Sequence, residues 1–213
     1  MIVGITGGVG AGKSTVTRIL EALGAETVDA DALAHEALET RAVREALVHW
    51  LGDSIMTPDG NVNRKGLAER VFSHPEDLKR LEALVHPQVL ARITRKVEEH
   101  RTSEKARGGS PGETAESILV LDIPLLESTP LKDLCDHVIY VDATAEARRR
   151  RVRERGWEEG ELERREGLQT ALEDKKGMSD AVIDNSGLLA ETRGQVEALY
   201  SRWTGKRIQT AGE

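Results

Sequence analysis

The sequence has little with which to build a disulfide, a basic surface or a membrane span. Its single cysteine, Cys135, excludes an internal disulfide and a cysteine-based zinc cluster, and one cysteine is typical of a reducing compartment. A formal net charge of −7 disfavours general binding to nucleic acid. No apolar run approaches the roughly 20 residues of a membrane helix, and no secretory signal opens the chain. We therefore expect a soluble cytoplasmic protein that binds neither nucleic acid nor membranes, and nothing indicates an obligate protein partner.

Aromatic residues are also scarce, at 3% of the 213 residues, whereas hydrophobic residues make up 38%. The core must therefore be aliphatic. Short predicted strands alternate with segments of helical periodicity. Four of them are rich in Val, Ile and Leu and lie at 2–6, 118–124, 137–143 and 181–185, and a further short strand, AETVD, lies at 25–29. This alternation predicts an α/β fold with a parallel sheet that helices cover on both faces.

We predict a single domain whose sheet and surrounding helices come from three parts of the chain, namely 1–34, 118–143 and 177–213. Three further segments lie between these parts. They are a helical insertion at about 35–100, a Gly- and Ser-rich mobile loop at about 101–117, and a charged helical segment at about 144–176. Within the insertion, Pro75 and Pro87 are expected near helix starts.

The strongest motif is GITGGVGAGKST at residues 4–15, between the first strand and the first helix. Gly7, Gly12, Lys13 and Ser14 satisfy the P-loop pattern, because glycines let backbone N–H groups face phosphate oxygens. Lys13 then reaches the β- and γ-phosphates, and the Ser14 hydroxyl binds Mg²⁺. The alternative is a turn rich in left-handed backbone. We expect ATP to be bound by Gly8, Gly10, Ala11, Gly12, Lys13, Ser14 and Thr15.

Aspartates lie at the C-terminal ends of predicted strands, at the sheet edge where ligands bind in open α/β folds. Asp29 and Asp31 follow the second strand, and one of them can accept a proton from an attacking hydroxyl. The alternative is that they cap the next helix. Asp122 ends the ILVLD run, where a carboxylate can hold Mg²⁺ through water or simply cap a turn.

A run of arginines, EARRRRVRERG at 146–156, is the one basic cluster in this acidic chain. Arg148, Arg151 and Arg155 fall on nearly one helical face. A transferring phosphoryl group needs such cations, and we favour Arg148 as catalytic and Arg151 as a contact to ATP. The alternative is a solvated face that pairs with nearby glutamates.

Six segments in order resemble the dephospho-CoA kinase family: GITGGVGAGKST, VDADALAHE, PDGNVNRKGLAERVF, LEALVHPQV, LDIPLL and SDAVIDNSG. The resemblance runs from residue 2 to about residue 188. It implies a P-loop NTPase fold of the nucleoside-monophosphate-kinase type, with a five-stranded parallel sheet, a helical acceptor-binding insertion and an arginine-rich lid. It also implies that ATP, with Mg²⁺, phosphorylates the ribose 3′-hydroxyl of dephospho-CoA to give CoA and ADP.

The same resemblance suggests roles for single residues. It places the catalytic base on Asp31 and assigns Asp29, Arg64 and His86 to the acceptor. His86 precedes a proline, so a cap or packing role is its alternative. Arg165 lies where the second arm of the lid belongs, which adds it to the ATP contacts.

One departure is that Glu127 follows Leu126 directly, whereas the family usually has this glutamate one residue later, so the role of Glu127 is open.

Two other functions remain open at this point. One is a small-molecule kinase of the same fold that acts on a nucleoside monophosphate or a sugar acid. The other is a non-catalytic nucleotide sensor, which would not need the base, the metal carboxylate and the lid arginines together. A GTPase is disfavoured because the guanine-reading Asn-Lys-x-Asp motif does not occur. A turnover assay separates the first two.

Overall fold

The computed structural model describes residues 1–106, 117–123, 126, 129–167 and 171–208. Two features of the sequence therefore lie outside the described residues. They are Glu127 and most of the loop predicted at 101–117, namely residues 107–116. In the described part, no helix is long and apolar enough to cross a membrane.

Five strands form one sheet in the order β2-β3-β1-β4-β5. They are β1 (Ile2–Gly7), β2 (Glu26–Asp29), β3 (Leu119–Asp122), β4 (His137–Asp142) and β5 (Ala181–Asp184). β1 runs parallel to β3 and β4, and β4 runs parallel to β5. All six residues of β1 are buried, as expected for a central strand covered on both faces. The predicted five-stranded parallel sheet is confirmed, and β1 delivers the P-loop to its middle.

Nine helices among the described residues lie between and after the strands. They are α1 (Lys13–Ala22), α2 (Ala30–Leu38), α3 (Arg41–Leu51), α4 (Arg64–Ser73), α5 (Pro75–Ala106), α6 (Ala145–Glu154), α7 (Glu161–Glu166), α8 (Leu172–Gly177) and α9 (Leu189–Thr204). Short 3₁₀ turns lie at Asp53–Ile55 and Pro130–Leu134.

The core beside the P-loop is aliphatic, as the composition predicts. Val16, Ile19 and Leu20 of α1 are buried at helical spacing and belong to one cluster with Val3 and Ile5 of β1. The helix ends where Gly24 adopts a φ of +97°, a conformation that glycine takes without steric cost. α1 is thus fixed along its length, which holds its first turn at the end of β1.

The chain divides into two units. The first comprises Met1–Val28 and Lys96–Glu213, and the second is Asp29–Arg95. The second unit has buried aliphatic residues of its own, contributed by α3, α4 and the turn between them: Val43, Leu47, Ile55, Val62, Leu67 and Val71. The insertion predicted at about 35–100 falls mostly on this unit.

Two expectations about α5 are wrong. Pro75 begins the helix as predicted, but Pro87 lies inside it instead of near a start. The helix continues because Val85, Val89 and Ile93 bury one face on either side of the proline, which offsets the lost backbone hydrogen bond. Residues 101–106, predicted to be loop, form the last turns of α5, where the side chain of Arg101 donates to Leu134 O at 2.8 Å.

Candidate active site

The loop between β1 and α1 has the backbone that a phosphate-binding loop needs. Gly10 and Gly12 adopt φ values of +74° and +94°, which residues with a Cβ rarely take. Gly12 is the N-cap of α1 and contributes no side-chain cap, and the N-terminus of a helix attracts anions through its dipole. This placement supports the P-loop interpretation over a plain turn.

Two side chains of α1 have the positions that the motif predicts. Lys13 is half-buried, and its Nζ donates to Gly7 O at 3.2 Å, which folds the side chain back over the loop. Ser14 is exposed at the start of the helix. One turn later, Thr17 Oγ1 lies 3.1 Å from Lys13 O and 3.3 Å from Asp122 Oδ2. The carboxylate at the end of β3 therefore lies beside the first turns of α1.

Oxygen donors at this point fit a magnesium ion. Mg²⁺ is usually held by one or two protein oxygens together with water and substrate phosphates. The exposed Ser14 hydroxyl and the Asp122 carboxylate are such donors, and Ile5 of β1 pairs with Asp122 in the sheet register. Among the described residues, no group of three or more His, Cys, Asp or Glu side chains is arranged to hold a metal.

Arg151 contacts the P-loop, but through backbone carbonyls. Its Nη1 donates to Ala11 O at 3.0 Å and to Gly10 O at 3.4 Å, and its Nη2 donates to Asn185 O at 2.5 Å. Burial lowers the pKa of this guanidinium from its usual value. Nη1 thus holds the loop and Nη2 holds the backbone of Asn185, whereas the sequence predicts a contact to ATP.

Arg148, one turn earlier in α6, also lies against the loop. It is 7% exposed, which is incompatible with the solvated helix face considered as its alternative. Its Nε donates to Ala143 O at 3.2 Å, and its Nη1 forms an ion pair with Glu166. A Cβ built on Gly8 would lie 3.2 Å from Arg148 Nη1, so the guanidinium borders the phosphate-binding loop.

Arg165 has different surroundings. Its guanidinium lies 4.1 Å from the centre of the Trp157 ring, and its Nε donates to Glu161 Oε1 at 2.7 Å. Hydrogen bonds from Arg164 and then Arg165 lower the pKa of the Glu161 carboxyl. Both of these contacts of Arg165 are with residues of its own segment, in α7 and just before it.

In the second unit, Asp29 has the capping role that was the alternative for it. Its Oδ1 accepts from Asp31 N at 2.8 Å and from Ala32 N at 3.1 Å, which fixes the start of α2. Asp31 is exposed in the first turn of that helix. Its carboxylate is therefore accessible, as a base would have to be.

The two predicted acceptor contacts of the insertion lie on separate helices. Arg64 begins α4 and is 3.5 Å from Glu39 Oε1 in an ion pair. His86 is exposed in the interior of α5, so the idea that it caps a helix start is wrong. Its contact with the acceptor stays a prediction.

Comparison with known proteins decides the family. The family model CoaE, dephospho-CoA kinase, matches residues 1–191. The chain is similar to a dephospho-CoA kinase of Symbiobacterium thermophilum, with 39% identity over 93% of this chain and 80% of that one. It is equally similar to a dephospho-CoA kinase of Geobacter metallireducens, with 39% identity over 94% and 95% of the two chains.

The chain belongs to the dephospho-CoA kinase family. Among solved structures, TT1252 from Thermus thermophilus matches with a TM-score of 0.71 and 33% identity, over 96% of this chain and 98% of that one. The resemblance drawn from the six sequence segments is thereby confirmed, and so is a kinase fold built around a P-loop.

One residue that contacts the P-loop of this dephospho-CoA kinase family member was not predicted from the sequence. Asn185 is 4% exposed, and its Nδ2 donates to Ala11 O at 2.7 Å. Its segment, SDAVIDNSG, supported the resemblance, but the asparagine received no role. The available signal was physical: a loop that turns N–H groups inward turns carbonyls outward, and those need buried donors.

Proposed function

We propose that this chain acts as a dephospho-CoA kinase, which transfers the γ-phosphoryl group of ATP to the ribose 3′-hydroxyl of dephospho-CoA. This reaction yields CoA and ADP and is the last step of coenzyme A biosynthesis. The observation that carries the proposal is the P-loop at the end of the central strand, with Gly12 opening α1 toward an anion. The family model matches residues 1–191, and membership of this family indicates dephospho-CoA as the acceptor.

For ATP, the chain provides backbone N–H groups, one lysine and two side chains whose oxygen atoms can bind Mg²⁺. Lys13 Nζ, which donates to Gly7 O at 3.2 Å, exchanges this contact for the β- and γ-phosphate oxygens. Ser14 and Asp122 would hold Mg²⁺, Asp122 through water. The ion, bound together with ATP, would neutralise charge on the phosphates.

On the acceptor side, Asp31 takes the proton from the 3′-hydroxyl. The hydroxyl oxygen forms a bond to the γ-phosphorus while the bond from that phosphorus to the leaving ADP oxygen breaks. Asp31 is exposed at the first turn of α2, and Asp29 holds that turn by capping it. Asp29, Arg64 and His86 contribute contacts to dephospho-CoA.

The segment at about 144–176 acts as the lid. In the structure, Arg148 pairs with Glu166, and Arg165 pairs with Glu161. We propose that phosphate oxygens of ATP replace these glutamates when the lid closes, since arginine binds phosphate and carboxylate with the same planar donors. Closure would also exclude water, which otherwise competes as acceptor.

The remaining parts of the proposal concern organisation and location. The helical insertion at about 35–100 binds the acceptor, and 1–34, 118–143 and 177–213 form the nucleotide-binding core. The cytoplasm is the expected location, where Cys135, the single cysteine, stays reduced.

Two matched substitutions test the assignment of the base. Asp31→Asn removes the proton acceptor, so kcat should fall by about 10²–10⁴-fold. Asp29→Asn preserves the cap, because asparagine is as good an N-cap as aspartate, and should act on the KM for dephospho-CoA with little effect on kcat. Steady-state kinetics with both substrates measure this. An Asp31→Asn protein with the wild-type kcat would remove Asp31 from the role of base.

A further inference from the structure

A P-loop can bind phosphate only if its peptide groups are held in one orientation. In a trans peptide the C=O and the following N–H point in opposite directions. In the peptide that joins Ala11 to Gly12, the Gly12 N–H therefore faces one side of the loop when the Ala11 carbonyl is fixed on the other side. Whatever anchors Ala11 O thus sets the direction of the Gly12 N–H.

Two side chains anchor this carbonyl. Asn185 Nδ2 donates to Ala11 O at 2.7 Å, and Arg151 Nη1 donates to the same oxygen at 3.0 Å. Arg151 also donates through Nη2 to Asn185 O, so the two anchors are tied to each other. Asn185 directly follows β5 and Arg151 lies in α6, so two separate elements of the fold hold the loop.

Asn185 is itself held rigidly. Its Oδ1 accepts from Thr192 Oγ1 at 2.9 Å, and Thr192 is fully buried in α9. Its backbone N–H donates to Asp142 O at 2.8 Å. Since Oδ1 is taken by the threonine hydroxyl, the amide must present its NH₂ group to Ala11, where only a donor fits.

Close packing adds to these hydrogen bonds. A Cβ built on Gly12 would collide with Asn185 Nδ2, so the asparagine amide fills the space that every other residue type at position 12 would need. Gly12 is in the left-handed region with φ +94°. The glycine of the motif and the asparagine that follows β5 are therefore complementary parts of one arrangement.

We propose that Asn185 is a positioning residue, which fixes the Ala11–Gly12 peptide so that the Gly12 N–H faces the phosphates of ATP, with Arg151 as the second donor. The proposal goes beyond the assignment of substrates, since it concerns the preorganisation of the loop. It also gives Arg151 a role other than direct contact with phosphate.

The test uses Asn185→Asp and Asn185→Ala in the full chain. Aspartate keeps the shape and the bond from Thr192, but it cannot donate to Ala11 O and places a carboxylate oxygen against it. The control is Gln195→Ala, which removes hydrogen bonds of 2.9 and 2.8 Å to the backbone of Asp184 at the same end of β5. Within the described part of the chain, the side chain of Gln195 bonds only to the backbone of Asp184 and Glu191 and not to the P-loop.

Three quantities are measured below the thermal unfolding midpoint of each variant: the KM for ATP, the KM for dephospho-CoA, and the Ki of inorganic tripolyphosphate against ATP. Tripolyphosphate isolates the phosphate-binding loop because it has no nucleoside. We expect both Asn185 variants to raise the KM for ATP and the Ki of tripolyphosphate about tenfold or more. The KM for dephospho-CoA should change by less than about twofold, and Gln195→Ala should alter neither ATP nor tripolyphosphate binding.

Two results would overturn the proposal. One is an unchanged Ki for tripolyphosphate in Asn185→Asp, whether or not the KM for ATP rises, because the residue would then not act on phosphate. The other is an equal effect of Gln195→Ala, which would mean a general loss of stability. If both Asn185 variants fail to fold, Thr192→Val decides, since it removes the 2.9 Å bond that orients the amide and otherwise a 3.4 Å contact with Asp184 O. An unchanged Ki for tripolyphosphate in that variant would contradict the proposal.

Discussion

Replacement of Gly12 by alanine tests how the loop and its anchor depend on each other. Gly12 has a φ of +94°, and a new Cβ would collide with Asn185 Nδ2. The left-handed conformation costs about 1–2 kcal/mol for an L-residue. Displacement of Asn185 breaks its 2.7 Å bond to Ala11 O and leaves the buried Asn185 amide without that acceptor, which costs about 1–3 kcal/mol. Gly12→Ala should thus lower the free energy of unfolding by about 2–5 kcal/mol.

Gly24→Ala is the matched control. Gly24 has nearly the same φ, +97°, but the nearest atom to its Cβ would be Tyr200 Oη at 3.7 Å, an ordinary contact. Only the backbone term of about 1–2 kcal/mol applies to Gly24→Ala, and ATP binding should be unaffected. Urea unfolding and ATP titration of both variants give the comparison. Equal destabilisation by the two changes, with ATP affinity kept in Gly12→Ala, would refute the reasoning.

Two further predictions concern the lid segment and the cysteine. Arg165→Ala should raise the KM for ATP and alter Trp157 fluorescence. The control is Arg164→Ala, which removes hydrogen bonds to Glu161 and should change neither quantity. If the two variants have the same KM for ATP, Arg165 is a surface residue without a role in ATP binding. Burial raises the pKa of Cys135 to about 11, so at pH 8 iodoacetamide should alkylate the folded protein roughly a hundredfold more slowly than the unfolded chain. Comparable rates would contradict the raised pKa of this half-buried thiol.

The raised pKa of Cys135 also has a consequence for stability. The folded chain keeps the thiol proton that the unfolded chain loses above its ordinary pKa of about 8.5. This contribution to stability is therefore complete below that pH and is lost as the pH rises toward about 11. Neutral pH lies within the stable range.

Local patterns were sufficient to predict the sheet and the P-loop. Runs of Val, Ile and Leu mark four of the strands, β2 (ETVD) is a short strand with one buried Val, and the glycine spacing of residues 7–12 marks the loop. These signals each lie within one stretch of chain. The wrong expectation at Pro87 has a tertiary cause, since the buried face of Val85, Val89 and Ile93 sustains the helix around the proline.

The anchors of the loop could not be predicted in the same way. Arg151 and Asn185 are far from Ala11 in sequence, and only the fold brings their donors to its carbonyl. The charge of Arg151 pointed to phosphate, because a sequence does not show that backbone carbonyls occupy its donors. Arg148 is different, since it lies beside Gly8 as a phosphate contact would.

The most direct measurement of the proposed function is ADP release with Mg²⁺ and ATP against dephospho-CoA, AMP, UMP, gluconate and water, with the Lys13→Ala protein as blank. Mass spectrometry of the product, before and after a 3′-nucleotidase, locates the new phosphate. We predict rapid turnover with dephospho-CoA alone and a product phosphorylated at the ribose 3′-hydroxyl. Turnover with another acceptor, or ATP binding without turnover on any of them, would contradict this account.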